Sequence, residues 1–83
     1  MEEKLVGKIT HYYDKIQVAI VELTSDLKVN DNIHIKGNNT DFNQVVTSIQ
    51  KEHQNVSSAS KGEMIGMKVD QKVKEGDEIY LIE

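Results

Sequence analysis

A seven-residue pattern occurs three times in the chain, and it constrains the fold more than any other feature. Each copy begins with an apolar residue, continues through two spacers to Gly or Asn and then an acid, and ends on Ile. The copies lie at 27–33, 59–65 and 73–79. Gly and Asn tolerate positive φ, and a following carboxylate can accept hydrogen bonds from nearby backbone amides. The pattern therefore predicts three turns, each leading into a strand whose first inward residue is the Ile.

The same pattern assigns a structural role to three acids, Asp31, Glu63 and Asp77. Because each follows the Gly or Asn of a predicted turn, we expect these carboxylates to set turns rather than to catalyse. The leading apolar residue of each copy is expected to close the end of a barrel.

Apolar residues alternate with polar ones through most of the chain, which is typical of half-buried strands. The alternation predicts six strands and no helix, at 4–11, 16–23, 33–35, 42–49, 65–69 and 79–82. The polar segment from Lys51 to Ser60 is predicted to be a loop that crosses a barrel end. A closed barrel removes exposed sheet edges. We therefore predict an all-β, six-stranded Greek-key barrel that occupies residues 1–83 as one domain.

Composition excludes several kinds of chemistry. The chain has no Cys, so a disulfide framework, a thiolate zinc site and a cysteine nucleophile are excluded. All ten basic residues are Lys, and fourteen acids give a net charge of −4. Without Arg there is no bidentate fork for phosphate or guanine, and the negative charge offers no steering toward a polyanion. No apolar run approaches the roughly 20 residues of a membrane span, and the amino terminus is polar, so a cytoplasmic protein is expected.

The order of these segments resembles the second domain of the translational GTPases, the β-barrel that follows the nucleotide-binding domain in elongation factor Tu. The matching stretches are 6–9, 16–23, 27–35, 46–49, 56–59, 61–67 and 73–80. The resemblance is closest to small stand-alone elongation-factor-like proteins and to the barrel at the carboxyl end of some U32-family peptidases. Two features carry this closer resemblance: His11-Tyr12-Tyr13 after the first strand, and the segment 37–42 that leads into Gln44.

The resemblance implies binding without catalysis. In elongation factors this barrel contacts the GTPase domain and the aminoacyl end of tRNA, partly through a segment that corresponds here to 68–73. This chain has Asp70 where elongation factor Tu has a basic residue, which argues against the same grip on tRNA. Gly7-Lys8-Ile9-Thr10 lacks the upstream glycine and following helix of a phosphate-binding loop, so nucleotide hydrolysis is excluded.

The candidate binding residues form two sequence clusters. Adjacent aromatic rings can stack on unpaired bases while a nearby Lys meets phosphate. In an extended segment, however, Tyr12 and Tyr13 point to opposite faces, and the alternative is that one of them packs in the core. The candidates are His11, Tyr12, Tyr13 and Lys15 in the first cluster and Lys68, Asp70 and Lys72 in the second.

No metal, cofactor or catalytic site is predicted. The three His residues, His11, His34 and His53, lack metal-ligand spacing, and the Ser residues lack a nucleophile context. We expect a non-catalytic binding module that docks on a protein partner, or on RNA in a translation or tRNA-related context, with no DNA or membrane partner. The alternatives are an accessory barrel working in trans with a U32-family peptidase-like enzyme, and a small ligand-binding barrel. Self-association through the apolar residues Val45, Val46 and Ile49 is a further possibility.

Overall fold

The computed structural model of the protein describes residues 2–83, and within that range it is built from strands and turns alone. The prediction of an all-β fold is confirmed. The strands are β1 Glu3–Tyr13, β2 Val18–Leu23, β3 Leu27–Lys28, β4 Asn32–Lys36, β5 Asp41–Val45, β6 Ile49–Lys51, β7 Gln54–Val56, β8 Ser58–Ala59, β9 Met64–Lys68 and β10 Glu78–Ile82. Because the described residues form no helix, none of them supplies a helix that could cross a membrane.

The strands form one large sheet and one small one. The large sheet has eight strands in the order β5-β4-β10-β1-β2-β9-β6-β7, and β3 pairs with β8 in the small sheet. Every pairing is antiparallel. The backbone ladders end at β5 and β7, so they do not close the large sheet into a ring.

Residues 2–83 form ten strands rather than the predicted six, and one reason is that a predicted strand is interrupted. Gln44 and Val46 face the core from the first half of the segment 42–49, whereas Ile49 faces the core from the second half. A strand has a period of two, so the backbone must break between these halves to bury both sets. Only Val45 of the proposed self-association surface remains exposed, at 43%, while Val46 and Ile49 are fully buried. The prediction that 42–49 is one strand with apolar residues on both faces is therefore wrong.

The predicted loop from Lys51 to Ser60 is also wrong in part. β6 and β7 form a hairpin in which Lys51 pairs with Gln54. Its two turn residues, Glu52 and His53, have φ of 51° and 65°. A two-residue hairpin loop with both φ values positive is a type I′ turn, which usually carries Asn or Gly. The polar composition hid this hairpin.

The three repeats form three turns of the same geometry. In each, the amide of the acid donates to the carbonyl three residues earlier, at 3.2 Å for Asp31, 3.1 Å for Glu63 and 3.1 Å for Asp77. Each carboxylate in return accepts from the amide of that earlier residue, at 3.0 Å from Lys28, 2.6 Å from Ser60 and 2.9 Å from Lys74. The residue before the acid has positive φ: 80° for Asn30, 90° for Gly62 and 92° for Gly76. These are the features of a type II turn, so the predicted role of the acids is confirmed.

Each turn also binds a buried residue of a neighbouring strand through two backbone hydrogen bonds. The Gly76 amide donates to the Ile9 carbonyl at 2.8 Å, and the Ile9 amide donates to the Asp77 carbonyl at 2.8 Å. The same exchange joins the second turn to Leu23 and the first turn to Val46. The repeats therefore fix where β10, β9 and β4 start relative to their neighbours.

The core lies inside the curved sheet and consists of aliphatic residues. The leading residues of the repeats, Leu27, Ala59 and Val73, belong to it, as do the trailing residues Ile33, Ile65 and Ile79. The inward orientation predicted for the trailing Ile residues is confirmed, whereas the closing of a barrel end by the leading residues stays a prediction. Gly7 lies where β1 shifts register against β10, and a Cβ there would stand 2.6 Å from Val21 Cγ1.

Gln44 connects the edge strand β5 to the far part of the sheet. Its side chain is buried, at 6% exposure. Nε2 donates to the Lys68 carbonyl at 3.0 Å, and Oε1 accepts from the Asp70 amide at 2.8 Å. The side-chain amide of Gln44 thus bonds backbone groups at the end of β9, as a neighbouring strand would. No backbone ladder connects β5 to β9 at this place.

Candidate functional site

The predicted aromatic cluster lies at the end of β1. The rings of His11 and Tyr13 project to the same face, with centroids 4.5 Å apart and planes tilted by 59°. Tyr12 points the other way and packs against the core. The alternative in which one Tyr is a core residue thus holds for Tyr12. His11 Nδ1 lies 3.2 Å from a carboxylate oxygen of Glu75, so its ring is already engaged by a neighbouring side chain.

Two Lys residues of the candidate set lie near Tyr13. Lys15 is exposed in the turn between β1 and β2. Lys68 pairs with Val18, which in turn pairs with Tyr13, so the three residues form one row across β9, β2 and β1. The structure therefore brings Tyr13 and Lys68 onto one face.

Asp70 and Lys72 follow β9 and are exposed. The backbone of Asp70 is held by Gln44, as described above. Within residues 2–83, no hydrogen bond or ion pair joins either side chain to the aromatic cluster. These two candidates remain solvent-facing residues on a segment whose backbone is fixed.

An apolar groove that the sequence analysis missed opens beside Tyr13. Its volume is about 340 Å³, and its walls include Tyr13, Ile16, Val18, Ile20, Met64 and His53. Three of the five large hydrophobic residues that are exposed in the described chain lie here: Ile16 at 61%, Met64 at 50% and Tyr13 at 48%. Contiguous exposed apolar surface of this kind marks interaction sites more often than isolated apolar residues do. We call Tyr13, Ile16, Val18, Ile20 and Met64 the groove face.

The groove face exists because two neighbouring strands are apolar on both sides. β2 buries Ala19, Val21 and Leu23 in the core, so Val18 and Ile20 must point outward. On β9, Ile65 is buried and Met64 points out. Gly66 pairs with Ile20 and leaves the floor of the groove low, because it has no side chain. The sequence signal for this surface is that apolar residues occupy both the inward and the outward positions of one strand.

A second cluster joins His34 to two carboxylates. Nδ1 lies 2.7 Å from Glu3 Oε2, and Nε2 lies 2.5 Å from Asp41 Oδ1. The hydrogen bond to Asp41 raises the pKa of His34 above its usual 6.5, Glu3 raises it further, and partial burial opposes both. An imidazole that donates from both nitrogens is the charged form. We call Glu3, His34 and Asp41 the His34 cluster.

Another pocket is polar and carries both signs of charge. It encloses about 570 Å³ between the 36–39 turn and the 74–78 turn. Lys36 Nζ lies 5.8 Å from the centre of the Tyr80 ring. The Tyr80 hydroxyl donates to Glu78 at 3.0 Å, which raises the pKa of Tyr80. The described residues contain no group of three or more His, Cys, Asp or Glu side chains placed to hold a metal ion.

Comparison with solved structures identifies the fold. The C-terminal domain of a Geobacillus thermoleovorans protein assigned to the U32 peptidases superposes with a TM-score of 0.90, covering 96% of this chain and 93% of that domain at 17% identity. The fold is that of a U32 peptidase C-terminal domain. The selenomethionine variant of the same domain gives a TM-score of 0.87 at 18% identity, over 92% of this chain and 96% of that one.

Sequence relatives agree with this likeness. A Methanocaldococcus jannaschii protein named uncharacterized protease MJ0090 is 42% identical over 78 residues, which are 93% of this chain and 19% of that protein. A Porphyromonas gingivalis collagenase is 36% identical over 81 residues, 95% of this chain and 22% of that protein. The chain thus spans about a fifth of the length of these relatives. No family model matches the chain.

These comparisons separate the two halves of the resemblance seen in the sequence. The U32 half is supported by the solved structures. The translation-factor half, including an elongation factor role and RNA binding, receives no support from these relatives. A much longer sequence relative that is named a protease is consistent with the alternative of an accessory module of a U32-type protein.

Proposed function

We propose that this chain is a non-catalytic binding module that docks on a U32-type peptidase-like protein. The observation that carries the proposal is the relative that is 42% identical along 93% of this chain, although the matching part is only 19% of that protein. In that relative the segment that matches this chain accompanies a much larger remainder, and the whole is named an uncharacterized protease. A domain of this kind is suited to bind such a remainder.

A non-catalytic role is supported by what the polar groups of the described chain already do. Asp31, Glu63 and Asp77 hold turns. His34 is bound on both nitrogens by carboxylates, which leaves neither nitrogen available as a base. His11 contacts Glu75.

The groove face is the surface through which we propose that the chain docks. Its exposed apolar residues, Tyr13, Ile16 and Met64, line one groove together, whereas Val45 and Leu5 lie outside that groove. A large apolar side chain of the partner fits a groove of about 340 Å³. Removal of these residues from water would supply the free energy of docking.

The test is a binding titration between this chain and a U32-type protein from the same organism, with that protein's own C-terminal barrel deleted if it has one. We expect Ile16→Glu to weaken binding at least about tenfold, since a buried unpaired charge at an apolar contact opposes association. Val45→Glu is the matched control, because Val45 is also an exposed aliphatic residue but lies outside the groove. Equal affinity of the two variants would show that the groove face is not the docking surface. The absence of measurable binding by the unmodified chain would remove the proposal.

RNA docking has weaker support from the same surface. Tyr13 and Lys68 share a face, but their immediate neighbours are apolar and His11 is paired with an acid. The net charge of −4 opposes a polyanion. A small-ligand role would have to use one of the open grooves, and the binding titration above distinguishes it from protein docking.

We also infer that the open sheet is a barrel closed partly by side chains. Gln44 connects β5 to the end of β9, where no backbone ladder connects them. The short β3–β8 pair forms a separate sheet that contributes Leu27 and Ala59 to the same core. Gln44 variants test this inference, as described in the Discussion.

A further inference from the structure

The His34 cluster connects the edge strand β5 to β4 and β1 on the face of the sheet opposite the core. β5 is the last strand of the large sheet on its side, and its only ladder is with β4. His34 on β4 reaches Asp41 at the start of β5 with one ring nitrogen and Glu3 at the start of β1 with the other. Since β10 lies between β4 and β1, one side chain connects strands across almost half of the sheet.

We propose that the His34 cluster is a pH-sensitive device that fixes the edge strand β5 when His34 is protonated and loosens it when His34 is neutral. A neutral imidazole donates from one nitrogen only, and its other nitrogen is an acceptor. That acceptor cannot bond an ionised carboxylate, because both groups present lone pairs. Loss of the proton therefore breaks one of the two contacts, either to Asp41 or to Glu3.

The charged groups around His34 favour the protonated form. Its cross-strand partner on β10 is Tyr80, whose hydroxyl is bound to Glu78, and its partner on β5 is the neutral Asn43. Lys36, two residues along β4, lies over the Tyr80 ring, and Glu78 pairs with Lys36 on one side and with Lys8 of β1 on the other. The carboxylates that contact His34 itself are those of Glu3 and Asp41. The raised pKa of His34 agrees with these contacts, with Asp41 as the leading cause.

The exposure of the cluster suits a device that senses pH. The His34 side chain is 15% exposed, so water and protons reach it, while the Asp41 side chain is 76% exposed and can swing away once its partner is neutral. Loosening of β5 would widen the groove of about 540 Å³ beside Val45 and Ile82, where the edge of the sheet meets solvent. This inference does not depend on the proposed partner, since Glu3, His34 and Asp41 do not line the groove through which docking is proposed.

The experiment measures amide hydrogen exchange by NMR at about pH 6 and about pH 8.5, corrected for intrinsic exchange rates. We expect the β5 amides to lose protection by about tenfold relative to β2 amides at the higher pH. In His34→Gln the β5 amides should show the same protection at both pH values. His53→Gln is the matched control, because His53 lies in the β6–β7 turn, and it should behave like the unmodified chain.

A second measurement keeps the test valid if His34→Gln fails to fold. The titration of His34 is followed by its ring proton shifts in the unmodified chain and in Asp41→Asn. We expect a midpoint above 6.5 that falls in Asp41→Asn. A midpoint at or below 6.5, or β5 protection that does not change with pH in the unmodified chain, would overturn the proposal. So would an equal pH effect in His34→Gln.

Discussion

The side chain of Gln44 accepts a hydrogen bond from the backbone amide of Asp70 at 2.8 Å, and it donates another to the carbonyl of Lys68 at 3.0 Å. A buried backbone amide and carbonyl that lose their partner retain the penalty of leaving water. Gln44→Leu keeps the size of the side chain but removes both bonds. We expect it to lower the free energy of unfolding by about 1–3 kcal/mol in urea titration.

Asn43→Ala is the control for this change, because Asn43 precedes Gln44 on the same strand and is exposed. Exposed substitutions of this kind stay within about 0.5 kcal/mol. If Gln44→Leu proved as stable as Asn43→Ala, the side-chain closure of the sheet would be incorrect.

The repeated turns predict a difference between two Gly→Ala variants. Gly76 has φ of 92° and open space around its missing Cβ, so Gly76→Ala adds backbone strain without a clash. We expect a loss of about 1–2 kcal/mol in the free energy of unfolding, measured by thermal or urea unfolding. Gly66→Ala is the comparison: its φ lies outside the left-handed region, and its new Cβ would meet Val18 Cγ1 at an ordinary 3.4 Å. A larger loss in Gly66→Ala than in Gly76→Ala would contradict the turn assignment.

The His34 cluster predicts how stability depends on pH. Because the folded-state pKa of His34 is raised, folding favours the protonated form. Its contribution is therefore fully present below the unfolded value of 6.5 and is lost as the pH rises through the higher folded value. The difference in free energy of unfolding between the unmodified chain and His34→Gln should shrink between about pH 6 and about pH 8.5. A difference that grows over this interval would mean that the neutral ring is the form that binds.

The β6–β7 hairpin predicts a stabilising substitution. His53 has φ of 65° in a type I′ turn, where Gly fits without a steric penalty. We expect His53→Gly to raise the free energy of unfolding by about 0.5–1 kcal/mol, measured by urea titration. Gln54→Gly one residue later replaces a strand residue and should do the reverse by a similar amount. Destabilisation by both variants would show that the His53 side chain contributes more than its backbone strain removes.

The features that could be predicted from the sequence are the local ones. A residue that tolerates positive φ, followed by an acid, specifies a turn within four residues. The turns at 28–31, 60–63 and 74–77 can therefore be predicted from the sequence. The buried Ile at the end of each repeat follows from the same register. The hairpin at 51–54 was missed because Glu52 and His53 are not the residues that a type I′ turn favours.

The groove face and the His34 cluster could not be predicted from the sequence, because both depend on which strands pair with each other. Val18–Leu23 is apolar at both phases except for Glu22, so the sequence does not state which side faces the core. Only the pairing of β2 with β1 and β9 decides that Ile20 faces solvent. The His34 cluster likewise joins residues 3, 34 and 41 through strand order, which alternation of residues does not reveal.

The turn that binds Ile9 has a consequence for synthesis of the chain. β1 is synthesised before β10, which is one of its two neighbours, and Ile9 accepts a hydrogen bond from the Gly76 amide and donates one to the Asp77 carbonyl. Until those residues emerge, the nascent β1–β2 hairpin carries an unpaired edge and uncovered apolar residues. Edges in that state are where chains aggregate or recruit chaperones. The large sheet is therefore completed only after residues 76 and 77 have been synthesised and the third turn has reached β1.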